Sequence, residues 1–285
     1  MAKKKTILDF KQMKANGEKI TYLTAYDYLV ARYEERAGID MILVGDSIGN
    51  VQLGVGGTIP VTMDNMITAA RSVRNGAPNT FIVGDMPFMS YQVSDEEAVR
   101  NAGRFFKEAG VDCIKLEGFS SAALSRVKAI TEAGMVVMGH IGLTPQLGAQ
   151  LGGNKAQGKS AEAALQLIKA CQDLEKAGAF AVLVEAVPTV VCKAIRESVS
   201  IPVLSIGAGP EADGQLLIYA DMLGFFDDFF PKFVKKYANI GEIMQKAFAE
   251  YVADVKECRF PIDGEHTYKI SAEEAAALEE ELKKG

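Results

Sequence analysis

Short, almost continuously apolar runs alternate with longer amphipathic stretches along most of the chain. The runs are "ITYLTAY" (20–26), "MILVGD" (41–46), "TFIVGD" (80–85), "DCIKLE" (112–117), "MVVMGH" (135–140), "AVLVEA" (181–186) and "PVLSIGAG" (202–209). A weaker eighth lies in "LLIYADMLG" (216–224). Apolar residues at successive rather than alternate positions predict strands buried on both faces, as in a parallel sheet. Helical patterns fill the intervals at 28–38, 94–110 and 160–178. Ser94 with Glu97 forms a capping-box pattern, and Gly110 suits a helix end; Ser160 and Gly178 bracket the third stretch in the same way. Gly38, Gly110, Gly134 and Gly178 each precede a strand by two or so residues, marking helix ends that turn back into the sheet. Strand and helix alternating about eight times over ~200 residues predicts an α/β fold, a (β/α)8 TIM barrel in a single domain over residues 1–270. An open doubly wound sheet is the alternative, but no GxGxxG follows the first strand.

Two stretches break the rhythm. Residues 141–159, "IGLTPQLGAQLGGNKAQGK", are rich in Gly and Gln and have no periodicity. In a barrel this loop leaves the active-site face directly after His140, so a lid is expected there. Residues 271–285, "SAEEAAALEEELKKG", predict a separate acidic helix with its own capping box.

Composition narrows the function classes. The 285 residues carry a net charge of −6 and no long basic block, which argues against nucleic-acid binding by phosphate neutralisation. No apolar run approaches the ~20 residues that span a bilayer. The basic start "MAKKKTILDFKQMK" lacks the apolar core of a secretory signal, so a cytosolic location is expected. Cysteines at 113, 171, 192 and 258 form no CxxC, which predicts reduced, mostly buried thiols. With two histidines in the chain, a multi-histidine metal site is excluded.

The strand ends hold the chemistry. Asp46 closes one strand, Asp85 closes another 39 residues later, and Glu117 closes a third 32 residues beyond that. In a barrel such positions converge on one mouth, which gathers Asp46, Ser47, Asp85, Lys115, Glu117, His140, Glu185 and Ser205. Each alone has a plain structural explanation as a cap, a strand-face ion pair or a loop acid. Four acids at equivalent positions of four strands would nonetheless repel one another unless a cation or protons compensated them. Oxygen donors without a Cys or His cluster select a hard ion, Mg2+ by default. A 2-oxo acid offers such an ion a carboxylate and a ketone oxygen, and the ion can stabilise an enolate. Glu185 and His140 are then candidates for proton transfer, and Lys115 for charge stabilisation.

The sequence resembles the ketopantoate hydroxymethyltransferase family of the phosphoenolpyruvate mutase/isocitrate lyase barrel superfamily. The resemblance runs from about residue 6 to about residue 268. It rests on "TAYDY" (24–28), "LVGDSIG" (43–49), "PVTMDNM" (60–66), "DMPFMSY" (85–91), "IKLEG" (114–118), "GHIGLTPQ" (139–146), "GAFAVLVEAVP" (178–188), "SIGAGPEADGQLL" (205–217) and "FPIDGEHTY" (260–268). It implies that Asp46 and Asp85 bind Mg2+, with Glu117 close by through water. It implies that Ser47 and Lys115 hold the oxo acid, that His140 contacts the new hydroxymethyl group, and that Glu185 is the acid/base residue. The implied reaction transfers a hydroxymethyl group from 5,10-methylenetetrahydrofolate to 3-methyl-2-oxobutanoate, giving 2-dehydropantoate, a step of pantothenate synthesis. Large homo-oligomers, often decamers, are implied as well. The departures from the family pattern are Val55, Gly56 and Gly57 in place of His, Asp and Ser, Leu147 in "TPQL", and Asn154 in place of Tyr. They fall in loops around the mouth, on the expected donor side, and spare the metal and base positions. The alternative is another Mg2+-dependent 2-oxo acid lyase or mutase on the same barrel, although the chain lacks the reactive cysteine motif usual in such lyases.

Overall fold

A computed structural model describes residues 4–153 and 155–285. Eight parallel strands close into a barrel in sequence order: β1 (Ile20–Thr24), β2 (Met41–Val44), β3 (Phe81–Asp85), β4 (Cys113–Glu117), β5 (Val137–Gly142), β6 (Ala181–Glu185), β7 (Val203–Ile206) and β8 (Gly214–Leu217). The expected barrel is therefore the observed one, and the open-sheet alternative falls.

Side chains alternate along each strand between two cores. Tyr22, Leu43, Val83, Cys113, Met138, Leu183, Leu204 and Leu216 fill the barrel interior, while Ile42, Ile82, Ile114, Val182 and Val203 pack outward under the helices. Asp85, Lys115, Glu117, His140 and Glu185 follow the parity of the inward set, which is why the chemistry points into the barrel. Register brings them side by side: Asp85 pairs with Lys115, Glu117 with His140, and Gly142 with Glu185.

The base of the barrel is closed by the helix Ile7–Asn16, whose Phe10 is fully buried and meets Phe81 edge-on at 5.1 Å. The predicted helix at 94–110 is present as Asp95–Arg104 continuing into a wider π-turn at Phe105–Ala109, ended by Gly110. Phe105 seats against Gly84 of β3, where an added Cβ would lie 2.6 Å from its ring.

The eighth strand is shifted from its expected place. It is "GQLL" at 214–217, and Tyr219–Met222 is a short helix rather than strand. Gly214 hides the strand from a hydrophobicity reading, yet it is required: a Cβ there would lie 2.4 Å from the Ile20 carbonyl oxygen of β1. The stretch 141–159 also holds more structure than expected. β5 runs on to Gly142, and a 3-10 turn Pro145–Leu147 leads into the helix Gly148–Leu151.

The acidic tail forms the helix Ala272–Leu282, with Ser271 Oγ accepting from Glu274 N–H at 3.2 Å. A 17-residue helix, Ile240–Lys256, precedes it with no buried residue, leaving Phe248, Tyr251 and Val252 exposed. Cys113, Cys171 and Cys192 are buried, Cys258 is exposed, and all four are free. Among the described residues no helix is long and apolar enough to cross a membrane.

Candidate active site

The C-terminal rim of the barrel surrounds a cavity of about 370 Å3 lined by Asp46, Ser47, Asp85, Lys115, Glu117, His140 and Glu185, among others. Seven of the eight residues read from the sequence thus share one space. Ser205 does not line it. This serine is fully buried, and its Oγ accepts from Ala208 N–H at 3.0 Å, closing the turn after β7.

Lys115 stands at the centre. Its Nζ is 2.8 Å from Asp85 Oδ1, 3.9 Å from Glu117 Oε1 and 3.4 Å from His140 Nδ1. Burial acts to lower its pKa, but the carboxylates of Asp85, Glu117 and Asp46 outweigh it and hold the ammonium above its usual range. His140 lies between two acids, Nδ1 at 3.2 Å from Glu117 Oε1 and Nε2 at 3.1 Å from Glu185 Oε2. Burial and Lys115 oppose its charge, yet Glu117 and Glu185 prevail and push its pKa up to about 9. Against the effect of its own burial, Glu117 is held below the usual carboxylate range by His140 and Lys115. Glu185 is the least enclosed of the four acids, its side chain 15% exposed. Immediately after it Ala186 adopts φ 47°, a left-handed conformation that a non-glycine residue holds only when its surroundings impose it.

Asp46 and Asp85 differ from the other two. Asp85 Oδ2 accepts from Asp46 N–H at 3.1 Å, so the two acids are locked side by side. Burial, then Asp85 and Glu117, push the Asp46 carboxyl well above its usual range; burial likewise raises Asp85. Asp85 Oδ1 has the Lys115 contact but no aligned hydrogen bond. The cluster sets four carboxyl groups against two cationic groups, an excess of acid in a buried space that protons or a further cation must compensate.

That excess is the test of a metal. Among the described residues no three His, Cys, Asp or Glu side chains form a ready-made ligand cluster. Mg2+ does not require one: it is held by one or two carboxylates and completed by water and substrate oxygens. Asp46 and Asp85 supply two adjacent hard donors with raised proton affinity and one oxygen without an aligned hydrogen bond. The donor set fits a divalent hard cation.

Sequence reasoning passed over three residues here. Gln146 is 4% exposed and ties the site together. Its Nε2 donates to Asp46 Oδ2 at 2.8 Å and to the Met86 carbonyl at 2.9 Å, and its N–H donates to Glu117 Oε2 at 3.0 Å. Tyr91 donates its hydroxyl to Gln146 Oε1 at 2.7 Å. Asp221 also lines the cavity. Gln146 closes the "GHIGLTPQ" motif and Tyr91 the "DMPFMSY" motif, so position in a motif was the available signal; Asp221 was masked by the misplaced eighth strand. Ser47 shares a 2.7 Å hydrogen bond with the Tyr26 hydroxyl.

The loop departures separate in space. Gly56 and Gly57 line the mouth, whereas Leu147 lines a second cavity of about 560 Å3 bounded by Phe119, Arg126 and Gln150, which shares only Glu117 with the acid cluster. Val55 is exposed, and Asn154 lies outside the described residues.

Fold and site together define a (β/α)8-barrel protein with an acid-lined mouth. Solved structures with this fold include a phosphonopyruvate hydrolase in complex with oxalate and Mg2+, 14% identical with a TM-score of 0.58 over 97% of this chain and 95% of that one. A 2,3-dimethylmalate lyase of the PEP mutase/isocitrate lyase superfamily is 16% identical, with a TM-score of 0.57 over 97% and 96%. The family model for ketopantoate hydroxymethyltransferase matches residues 4–263, and the chain belongs to that family. The chain is 58% identical over 285 residues to the 3-methyl-2-oxobutanoate hydroxymethyltransferase of Alkaliphilus metalliredigens (strain QYMF), covering 99% of this chain and 100% of that protein. It is 52% identical to the protein of the same name from Enterococcus faecalis (strain ATCC 700802 / V583), over 94% of this chain and 97% of that protein.

Proposed function

We propose that this chain transfers a hydroxymethyl group from 5,10-methylenetetrahydrofolate to 3-methyl-2-oxobutanoate, giving 2-dehydropantoate and tetrahydrofolate on the way to pantothenate. Family membership supports the reaction class. The observation that carries the mechanism is the buried excess of carboxylate around Lys115 and His140, in a cavity open to a small acid.

Asp46 and Asp85 would hold Mg2+, with Glu117 near it; when bound, the ion supplies Lewis-acid polarisation of the keto group. Lys115 and Ser47 take the oxo-acid carboxylate and keto end, Lys115 as a permanent cation that offsets negative charge developing on the keto oxygen. Glu185, the acid with most solvent access, removes the C3 proton and later returns one. One water is consumed: it releases the donor's methylene carbon as formaldehyde, both carbon–nitrogen bonds breaking as the two folate nitrogens take up its protons. The C3 carbanion equivalent then attacks that carbonyl carbon, and its oxygen, taking the proton that Glu185 returns, becomes the new hydroxyl. His140, against Glu185 and facing the mouth, receives the new hydroxymethyl group. Walls of apolar side chains such as Leu43, Leu183, Ile206 and Leu216 line the same cavity and limit water around the enolate.

The reading extends to a cytosolic homo-oligomer of decameric form, with a catalytic barrel over 1–270 and an acidic extension over 271–285. Exposed apolar side chains on Ile240–Lys256 support the self-association. The test is incubation with Mg2+, 3-methyl-2-oxobutanoate and methylenetetrahydrofolate, with dehydropantoate as the readout. Deuterium exchange at C3 without folate isolates the enolate half. Exchange without product would favour a lyase or mutase acting on a related oxo acid.

A further inference from the structure

The mouth cavity has a second wall that the enolate chemistry leaves unused. It is built by the chain after β8 and includes Ile218, Asp221, Phe226, Phe229 and Phe233. Asp221 is 4% exposed, and no hydrogen bond or ion pair engages its carboxylate among the described residues. Burial alone pushes its pKa up to about 6. A carboxyl kept this way costs stability unless a ligand supplies donors. The aromatic side chains are held rather than loose on one flank: the Phe233 ring covers Gly207, where a Cβ would lie 2.4 Å from Cδ1. Phe229 stands at the lip, 69% exposed. Across the opening, Gly56, Gly57 and Thr58 present a wall with little side-chain bulk.

Geometry decides which cavity can receive the one-carbon donor. Reacting atoms must approach to ~3–3.5 Å, so the donor has to share open space with the oxo acid. The second, larger cavity meets the acid cluster only at Glu117. The mouth cavity contains the whole cluster and the Asp221 wall in one volume of about 370 Å3, within the ~300–1,000 Å3 range of ligand pockets. A five-carbon acid leaves part of it free.

We propose that the Asp221 wall is the subsite for the donor's reduced pterin ring. Asp221 accepts two parallel hydrogen bonds from the ring's amino group and neighbouring N–H, and Phe229 and Phe233 contact the ring face. A carboxylate matches that side-by-side donor pair as it matches a guanidinium, and aromatic faces suit a flat conjugated ring. This inference rests on the proposed function, because it names where that reaction's second substrate sits.

The test uses the full-length protein, with tetrahydrofolate as the calorimetric probe, C3 deuterium exchange of 3-methyl-2-oxobutanoate as the folate-independent readout, and steady-state turnover as the third measure. Asp221→Asn keeps the shape and turns one acceptor into a donor facing the ring's donors. Losing hydrogen bonds to a charged group should weaken tetrahydrofolate binding, and raise KM for methylenetetrahydrofolate, by roughly 10–100-fold. Phe229→Ala, at an exposed position that the fold does not need, should weaken binding by about 3–10-fold. C3 exchange should stay within about twofold in both variants, because neither residue lies in the acid cluster. Asp221→Asn with wild-type tetrahydrofolate affinity and wild-type KM, in a protein that forms dehydropantoate, overturns the subsite alone. A wild-type protein that exchanges the C3 proton yet neither binds tetrahydrofolate nor forms product overturns the subsite and the folate half of the proposed function together. Equal loss of exchange and binding in Asp221→Asn also overturns it, since that result assigns Asp221 to the shape of the whole mouth.

Discussion

Asp213 at the base of the barrel and Asp46 at its mouth are buried to nearly the same degree, 2% and 5% exposed, but their surroundings are opposite. Asp213 accepts from Arg196 Nε at 2.5 Å and from Val203 N–H at 2.9 Å, and Lys14 Nζ lies 3.2 Å away. On the opposite side of the same end of the barrel, Asp112 is met by Arg74, Lys4 and the Ile82 N–H. Every base acid of this pair therefore has cations and backbone donors, and the result is a clamp that ties the N-terminal helix, β3, β4 and β7 together. Among the described residues Asp46 has one amide donor, Gln146, no ion pair of its own and two other acids as neighbours, with a single ammonium, Lys115, shared among all three. A buried acid so incompletely compensated is costly, and folding alone gives no reason to retain it. The contrast separates acids that hold the barrel together from acids kept for something that binds.

Removing the mouth acids should give the largest effect. Asp46→Ala or Asp85→Ala is expected to lower Mg2+-supported turnover by on the order of 10³-fold or more, the equivalent of several kcal/mol of lost Lewis-acid stabilisation. The fold should persist: among the described residues Asp46 anchors no ion pair, and the Asp85–Lys115 pair joins only the adjacent strands β3 and β4, which their backbone ladder already holds in register. Turnover with and without chelator, beside far-UV circular dichroism, checks both halves. Near wild-type turnover in both variants would remove these residues from the metal site.

Next in size is Glu185→Gln. It preserves shape and removes proton acceptance, so turnover should fall by roughly 10²–10⁴-fold, the usual range for a positioned acid/base group. KM for the oxo acid should change far less, since Lys115 and the Asp46–Asp85 pair are intact. C3 exchange measured in single turnovers distinguishes this from a binding defect; unchanged exchange would move the proton transfer to His140.

The base of the barrel supplies the counterpart. Asp213→Asn should leave kcat nearly untouched and cost about 2–3 kcal/mol of stability. That is the low side of the ~3–5 kcal/mol for a broken buried pair, because Arg196 is 30% exposed and partly resolvated. Urea unfolding at one fixed protein concentration, with the m-value unchanged, is the check. A variant losing activity but not stability would erase the distinction between the two ends.

Sequence legibility follows the same divide. Parallel strands buried on both faces announce themselves as apolar runs, so seven of eight strands and the inward-facing acids were readable from period and position. The eighth strand was not, because Gly214 and Gln215 interrupt the run and the following "LLIY" offers a stronger but misleading one. The acid cluster was readable because charged residues at the ends of apolar runs are rare enough to register. Gln146 and Asp221 were not readable that way. An amide in a Gly-rich loop looks like any polar loop residue, and the three hydrogen bonds that Gln146 donates go to residues 29, 60 and 100 positions away. The clamp around Asp213 was equally hidden, since Lys14, Arg196 and Val203 meet it only through the closure of the barrel. Local pattern shows which residues face inward; it does not show which of them are already satisfied.

Glu34 offers the smallest and finest test of that last point. It is 6% exposed on the helix Tyr28–Ala37, outside the mouth cluster, and neither carboxylate oxygen has a hydrogen-bond partner. Burial, then the charge of Asp27, pushes its pKa up to about 9 from the ordinary 4.5. The sign follows from proton counting. Between these two values the folded chain keeps a proton that the unfolded chain releases, so stability falls as pH rises through that window and levels off above it. Glu34→Gln removes the titration while keeping a neutral, similarly shaped group. Wild type and variant should therefore match near pH 5 and diverge toward pH 9, the variant becoming the more stable by about 1 kcal/mol after local relaxation and water entry are allowed for. Denaturant midpoints at pH 5, 7 and 9 measure it at constant protein concentration. Parallel curves would mean that Glu34 finds a cation when the protein associates, which would place it with the satisfied acids of the base rather than with the unsatisfied acids of the mouth.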